Sequence, residues 1–156
     1  MSRYQIVPAS VVHIESMLPF VRQADIEEVK ASSGKDMRTA LMDALRYSEH
    51  AWAGVIDGEV ACIFGVGSLS ILSDVGVPWL IGTDAIHRHS RAFLRRNLWV
   101  VALMRERYPV LRNWVDARNT AAIRWLKWLG FTLGDPAPWG AAQLPFHPFE
   151  MRGNYV

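Results

Sequence analysis

Two apolar segments, WLIGTDAI at 79–86 and LRNWVDA at 111–117, flank one long amphipathic stretch at roughly 90–107. A strand that returns to its own sheet through a helix does so parallel and right-handed. Upstream, AWAGVI and EVACIFGVG are separated by Asp57-Gly58. That pair favours a type I′ hairpin, because both turn positions need positive φ. A chain holding one antiparallel hairpin and one helical crossover must build a mixed α/β sheet. The neighbouring ends of the two crossover strands are where such sheets open a ligand crevice.

The remaining segments fill in the order. YQIVPAS reads as a first strand, and Ser10 can cap the helix that follows, with Pro19 set to kink or restart it. ADIEEVKASSG reads as a second helix, in which Asp25 and Glu28 have the spacing of a capping box and Gly34 is the stop. Asp36 can cap MRTALMDALRYS. In the long helix, Leu94, Leu98, Val101 and Arg105 fall on one stripe. FTLGD reads as a sixth strand. FHPFEMR reads as a seventh, with Pro148 confining it to an edge.

At 156 residues, 51% apolar and 21% charged, the chain suits a single globular domain spanning 1–156. Cys62 stands alone, which excludes an internal disulfide and suggests a buried thiol. No apolar run approaches the roughly 20 residues of a membrane span, and no leader precedes the first strand, so the expected location is cytoplasmic. A net charge of +2 is too small to imply a nucleic-acid partner. Arg88, Arg91, Arg95 and Arg96 are the one basic cluster. His87-x-His89 can place two imidazoles on one side of an extended segment, but two ligands without a third make no zinc site, and no metal is expected.

The stretch VDARNTAAIRWLKWLGF, 115–131, is the most specific. Asn119 ends a strand where a helix begins. It can be an N-cap bonding the amide of Ala121 or Ala122, and it can also face the crevice. Trp125 and Trp128, three apart, share one side of the helix, either as core or as a ligand platform.

With Asn119, Ala122 three later, and Gly130-Phe131 eleven and twelve later, NTAAIRWLKWLGF resembles motif B of the GCN5-related N-acetyltransferases. The element order fits that fold over essentially the whole chain. More narrowly, PWLIGTDAI, FLRRNLWVVALMRERYPVLRNWVDARNTAAIRWLKWLGF and FHPFEMR resemble a tailed-phage family of internal virion or virion-assembly proteins with an acetyltransferase-like fold. That likeness is strongest from residue 78 onward.

The resemblance implies a mostly antiparallel twisted sheet with helices on both faces and a parallel splay between its fourth and fifth strands. It implies acetyl-CoA in that gap and an unidentified amine as acceptor. By position it assigns Asp84, Ala85 and Ile86 to the pantetheine arm, with Asn119 beside them. The glycine-rich diphosphate turn of such transferases is replaced by HRHSRAF, where Arg88, Ser90 and Arg91 can substitute as phosphate ligands; otherwise Ser90 is only a cap and the arginines are solvated. The tyrosine that often serves as general acid is replaced by Leu126. Asp84 and Glu28 are the candidate bases, with a strand-end hydrogen bond and the capping box as their structural alternatives. Two functions follow. One is acetyl transfer to an amine. The other is a catalytically inactive virion or assembly protein working by protein contact, in which an exposed tryptophan such as Trp139 serves a partner.

Overall fold

The computed structural model describes residues 3–152. Strand β1 (Tyr4–Pro8) leads to α1 (Val11–Met17), a 3₁₀ turn at Leu18–Phe20, α2 (Gln23–Ser33) and α3 (Met37–Tyr47). Then come β2 (His50–Ile56), β3 (Glu59–Ser68), β4 (Val75–Gly82), a short α4 (Ala85–Arg88) and α5 (Ser90–Arg107). The chain finishes with β5 (Val110–Asp116), α6 (Thr120–Leu129), β6 (Thr132–Leu133), β7 (Ala137–Trp139) and β8 (Leu144–Arg152). One sheet runs in the order β1-β2-β3-β4-β5-β8-β6, with β7 also on β8. Every pairing is antiparallel except β4–β5.

Local chemistry sets these boundaries. Asp57 and Gly58 take φ of 49° and 82°, and the β2–β3 hairpin closes over them. Pro19 halts α1 and forces the 3₁₀ turn. Asp36 accepts the Thr39 amide at 2.9 Å to cap α3. Two cores flank the sheet. Ile14, Met17, Leu41, Ile63 and Ile81 pack under α1 and α3. Phe64, Phe93, Val100, Tyr108, Leu111 and Phe149 pack under α5 and α6. Cys62 is fully buried in the second core, where desolvation pushes its thiol up to about 12.

Four expectations change. The buried stripe of α5 is Phe93, Asn97, Val100, Val101 and Met104, whereas Leu98 is exposed: the helix is rotated so that this face meets the sheet, with Phe93 edge-on to Tyr4 of β1 at 4.4 Å. Ser90 is the first residue of α5, and His89 holds the cap position without a side-chain bond. The sixth strand keeps only two residues, and the Pro/Gly-rich segment after it forms β7. Most informative, β8 lies inside the sheet, between β5 and β6–β7, despite Pro148. The Pro148 carbonyl accepts the Gly134 amide at 2.8 Å, so its missing N–H points the same way. The Gly134 carbonyl, left without that donor, meets His147 Nδ1 at 2.9 Å instead. A histidine beside the proline thus replaces the lost ladder bond.

The β7 segment folds back onto α2. Gly140 has φ of 79°, and an added Cβ would lie 2.8 Å from Ser32 Cα and 2.9 Å from its carbonyl oxygen. Ala141 and Ala142 amides donate to Ser32 and Ala31 carbonyls at 3.0 Å each. Gly140→Ala is therefore expected to cost about 2 kcal/mol or more, read as a Tm several degrees lower in thermal melts.

Candidate active site

Strands β4 and β5 pair only at Val75–Val110 and Gly76–Leu111, then separate. Two residues enforce the separation. Pro78 turns its carbonyl toward β5, where Asn113 Nδ2 donates to it at 2.8 Å. Its nitrogen faces the same way and has no hydrogen to continue the ladder. Asn113 folds its side chain into the gap, and its Oδ1 accepts the Trp114 amide at 2.8 Å. A side chain thus stands where backbone pairing would run. Two residues beyond Pro78, Leu80 turns its N–H and C=O to the gap with no strand opposite. At the wide end, Gly82 is claimed by the α2 entry: its carbonyl accepts the Arg22 amide at 3.0 Å and its amide donates to Asp25 Oδ2 at 2.9 Å.

The gap opens on a cavity of about 250 Å³ passing from the α2 face to the α5–α6 face. On the α2 face stand Arg22, Asp25, Glu28, Trp79, Trp114 and Trp139. On the other stand Leu80, Ile86, Asn97, Ala122, Trp125 and Leu126. The indoles line the cavity without filling it.

Asn119 knots the α2 face together. Its Oδ1 accepts the Ala122 amide at 3.3 Å and caps α6. Its Nδ2 donates to Asp25 Oδ1 at 3.0 Å and to Glu28 Oε1 at 3.4 Å. Glu28 Oε1 also accepts the Asp116 amide at 2.8 Å, and Glu28 Oε2 has no hydrogen-bond partner among the described residues. Burial, reinforced by the charge of Asp25, pushes the Glu28 carboxyl up to about 7 against the pull of the Asp116 amide. Burial also raises Asp25, opposed by the Gly82 amide, Arg22 and Asn119. For Asp116 burial again acts upward, but hydrogen bonds from Arg118 outweigh it and hold that carboxyl below its ordinary range.

On the opposite face, Asn97 Nδ2 and Trp125 Nε1 are buried donors with no protein partner among the described residues. Such orphans inside a cavity call for an acceptor that the chain does not supply.

The residues singled out from sequence divide. Glu28 and Asn119, singled out separately, meet at one point. Glu28 belongs to no capping box: Arg22 holds the cap position of α2, and Asp25, inside the helix, faces Gly82 and Asn119 instead. Asp84, Ala85 and Ile86 are not on the fourth strand, which stops at Gly82. Thr83 still donates its amide in register to the Ala61 carbonyl, but its hydroxyl and carbonyl oxygens accept the Ala85 and Ile86 amides at 3.2 Å each and turn the chain into α4. The amides of His87, Arg88 and His89 then close onto Asp84 and Ala85, so this segment has no strand edge to offer an arm. Asp84 is exposed at the helix start, while Ala85 and Ile86 are core. His87 and His89 share that helical turn rather than an extended segment. Arg88 and Arg91 are exposed, with Ser90 half-buried between them, and neither arginine has an ion-pair partner among the described residues. Trp139 is no free surface: it stacks on Trp114 at 5.3 Å and 12°. Sequence reasoning missed Asn113 and Leu80; Pro78, at the head of the PWLIGTDAI segment, is the signal for both.

A parallel pair that splays in an otherwise antiparallel sheet, opening on a cavity beside the α6 cap, decides the architecture. The fold is that of the GCN5-related N-acetyltransferases. Ard1 from Thermoplasma volcanium superposes with a TM-score of 0.69 at 18% identity, covering 97% of this chain and 99% of that one. The ribosomal-protein-alanine N-acetyltransferase from Brucella melitensis gives 0.69 at 15%, over 95% and 99%. A GNAT-family acetyltransferase from Bacillus anthracis gives 0.71 at 9%, over 96% and 95%. At these identities the likeness is one of fold. No protein-family model and no curated protein matches the chain. Among the described residues no helix is long and apolar enough to cross a membrane.

The raised Glu28 carboxyl has a stability consequence. A folded-state pKa above the unfolded value, near 4.5, means that the folded chain binds more protons across that interval. Stability is then full below about 4.5 and declines as pH rises through about 7. Glu28→Gln removes the charge and keeps an oxygen for the Asp116 amide. Discounting for the open side of the carboxylate, it should stabilise the fold by about 2 kcal/mol at pH 8 and by almost nothing near pH 4, in urea unfolding.

Proposed function

We propose that this chain is an acetyl-CoA-dependent N-acetyltransferase, with the thioester arm lying between β4 and β5 and an amine meeting it from the α2 face. The observation that carries this reading is the splay itself: a strand edge at Leu80 left unpaired beside a cavity. The residues present fit a pantetheine arm. Its amides can pair with the Leu80 backbone and offer acceptors to Asn97 Nδ2 and Trp125 Nε1, the two orphan donors. The diphosphate end falls to Arg88, Ser90 and Arg91, where guanidinium forks stand in for a glycine-lined turn. Asp84 and Ala85, like Arg88, Ser90 and Arg91, stand outside the lining of the cavity itself, and Ile86 contributes only an apolar wall.

Acetyl-CoA supplies an activated acyl carbon. The protein must bring a neutral amine to it. Glu28, with Oε2 free and its affinity for protons matched to neutral pH, takes one proton from the incoming ammonium and passes it to solvent. The neutral nitrogen forms a C–N bond to the acyl carbon as the C–S bond breaks. Its second proton ends on the released thiol. Leu126 cannot deliver that proton, so water in the cavity carries it. Asn119 and the Asp116 amide hold Glu28 Oε1 and so aim Oε2. Glu28 is preferred to Asp84 as the base because it lines the cavity.

The glycine-free turn and Leu126 favour a second reading, in which the fold is kept for contact with virion or assembly proteins of a tailed phage. Mass spectrometry of particles from the source phage or prophage tests it.

Calorimetric titration with acetyl-CoA should show micromolar binding, weakened about tenfold in Arg88→Ala/Arg91→Ala. With an accepted amine, kcat/KM should climb with pH through about 7 in the parent, as Glu28 loses its proton. In Glu28→Gln that climb should vanish while acetyl-CoA binding persists. No heat and no melting shift at millimolar acetyl-CoA would remove the transferase reading.

A further inference from the structure

The geometry points to the acceptor's chemical class: a primary monoamine carried on a flat, aromatic body, seated among Trp79, Trp114 and Trp139 with its nitrogen at Glu28. This rests on the transferase reading for its chemistry, but the slot stands on its own contacts.

The α2-face chamber has an unusual lining. Alternation along the strands turns Trp79 of β4 and Trp114 of β5 to this face, one on each side of the splay. Leu80 and Val115, next to them, belong to the opposite core. Trp139 adds a third indole, stacked on Trp114 at 5.3 Å and braced by Phe146 at 5.2 Å. The Trp79 indole is held in place, since its Nε1 donates to Ser48 Oγ at 2.8 Å. Rigid aromatic walls of this kind attract flat apolar groups and cations on their faces.

Polar capacity, by contrast, is scarce. Asp25 is spent on Gly82, Asn119 and Arg22, the last at 3.3 Å. Asp116 is tied by Arg118 at 2.8 Å. Glu28 Oε2 is the carboxylate oxygen of the chamber left unbonded among the described residues. One free oxygen serves one ammonium. A polyamine would bring further cations toward the like charge of Arg22, with no second free carboxylate to pair them. An α-amino acid would set its carboxylate beside the like charge of Glu28, and Arg22, the arginine of the lining, already shares its charge with Asp25 through Nη1.

The test titrates the full chain by calorimetry, with and without CoA, using 2-phenylethylamine, n-butylamine, spermidine and L-phenylalanine at pH 8. 2-Phenylethylamine should bind at least about tenfold more tightly than the other three. Trp139→Leu and Trp114→Phe, each checked for a cooperative melt, should lose most of that preference without changing CoA affinity. Equal binding of spermidine or L-phenylalanine overturns the inference, as does an intact preference in both folded variants. CoA binding without phenylethylamine binding overturns the acceptor class and leaves the transferase reading standing. Phenylethylamine binding without CoA binding supports the slot and removes the transferase reading. Binding of neither overturns both.

Discussion

The structure turns on one interrupted hydrogen-bond ladder. After Gly76 and Leu111 the parallel strands stop pairing, although buried backbone groups favour continuing. Pro78 removes the donor at the first position where the ladder would continue. Asn113 satisfies the acceptor with a side-chain amide, so the apex of the gap carries no unmet carbonyl. At the far end the amide of Arg22 and the carboxylate of Asp25 take Gly82. The unpaired edge is thereby limited to the neighbourhood of Leu80, short enough not to invite association with another chain's strand. The cavity is a consequence of this arrangement rather than a defect of packing.

The second organising element is electrostatic. Asp25, Glu28 and Asp116 converge from α2 and β5, and like charges so placed repel. Asn119 separates two of them with a single NH₂ group while its oxygen caps α6; Arg118 neutralises the third. The residue that starts the helix is therefore the same one that fixes the carboxylates, which couples the integrity of α6 to the proton affinity of Glu28. That coupling explains why a cap residue stands at the centre of a site.

Much of this was legible in the sequence, for identifiable reasons. Asp57-Gly58, Asp36 and Pro19 act through their own backbones, so the hairpin, the α3 cap and the break after α1 could be read locally. The crossover and motif B located the fold and Asn119. Reading failed where side-chain turns or distant partners decided the outcome. Thr83 accepts the Ala85 and Ile86 amides and turns the chain into α4, which an unbroken apolar run hides, so WLIGTDAI overstates the strand and misplaces Asp84, Ala85 and Ile86. His147 rescues the ladder at Pro148, so a residue that marks edges elsewhere sits inside this sheet. Asp25 and Glu28 matched a capping box by spacing, yet tertiary contacts with Gly82, Asp116 and Asn119 claimed both. Trp139 was read as a contact surface because no local signal shows that its excursion folds back on α2.

The central claim is that the Leu80 edge is open in the free protein and is the edge on which a thioester arm lies. Residue-resolved amide hydrogen exchange by NMR, with and without saturating CoA, tests it directly. The account predicts that the Leu80 amide exchanges much faster than the β3 amides in the free protein and gains at least about tenfold protection with CoA, with β1 unchanged. A Leu80 amide already as protected as the β3 amides, or one indifferent to CoA, would contradict it.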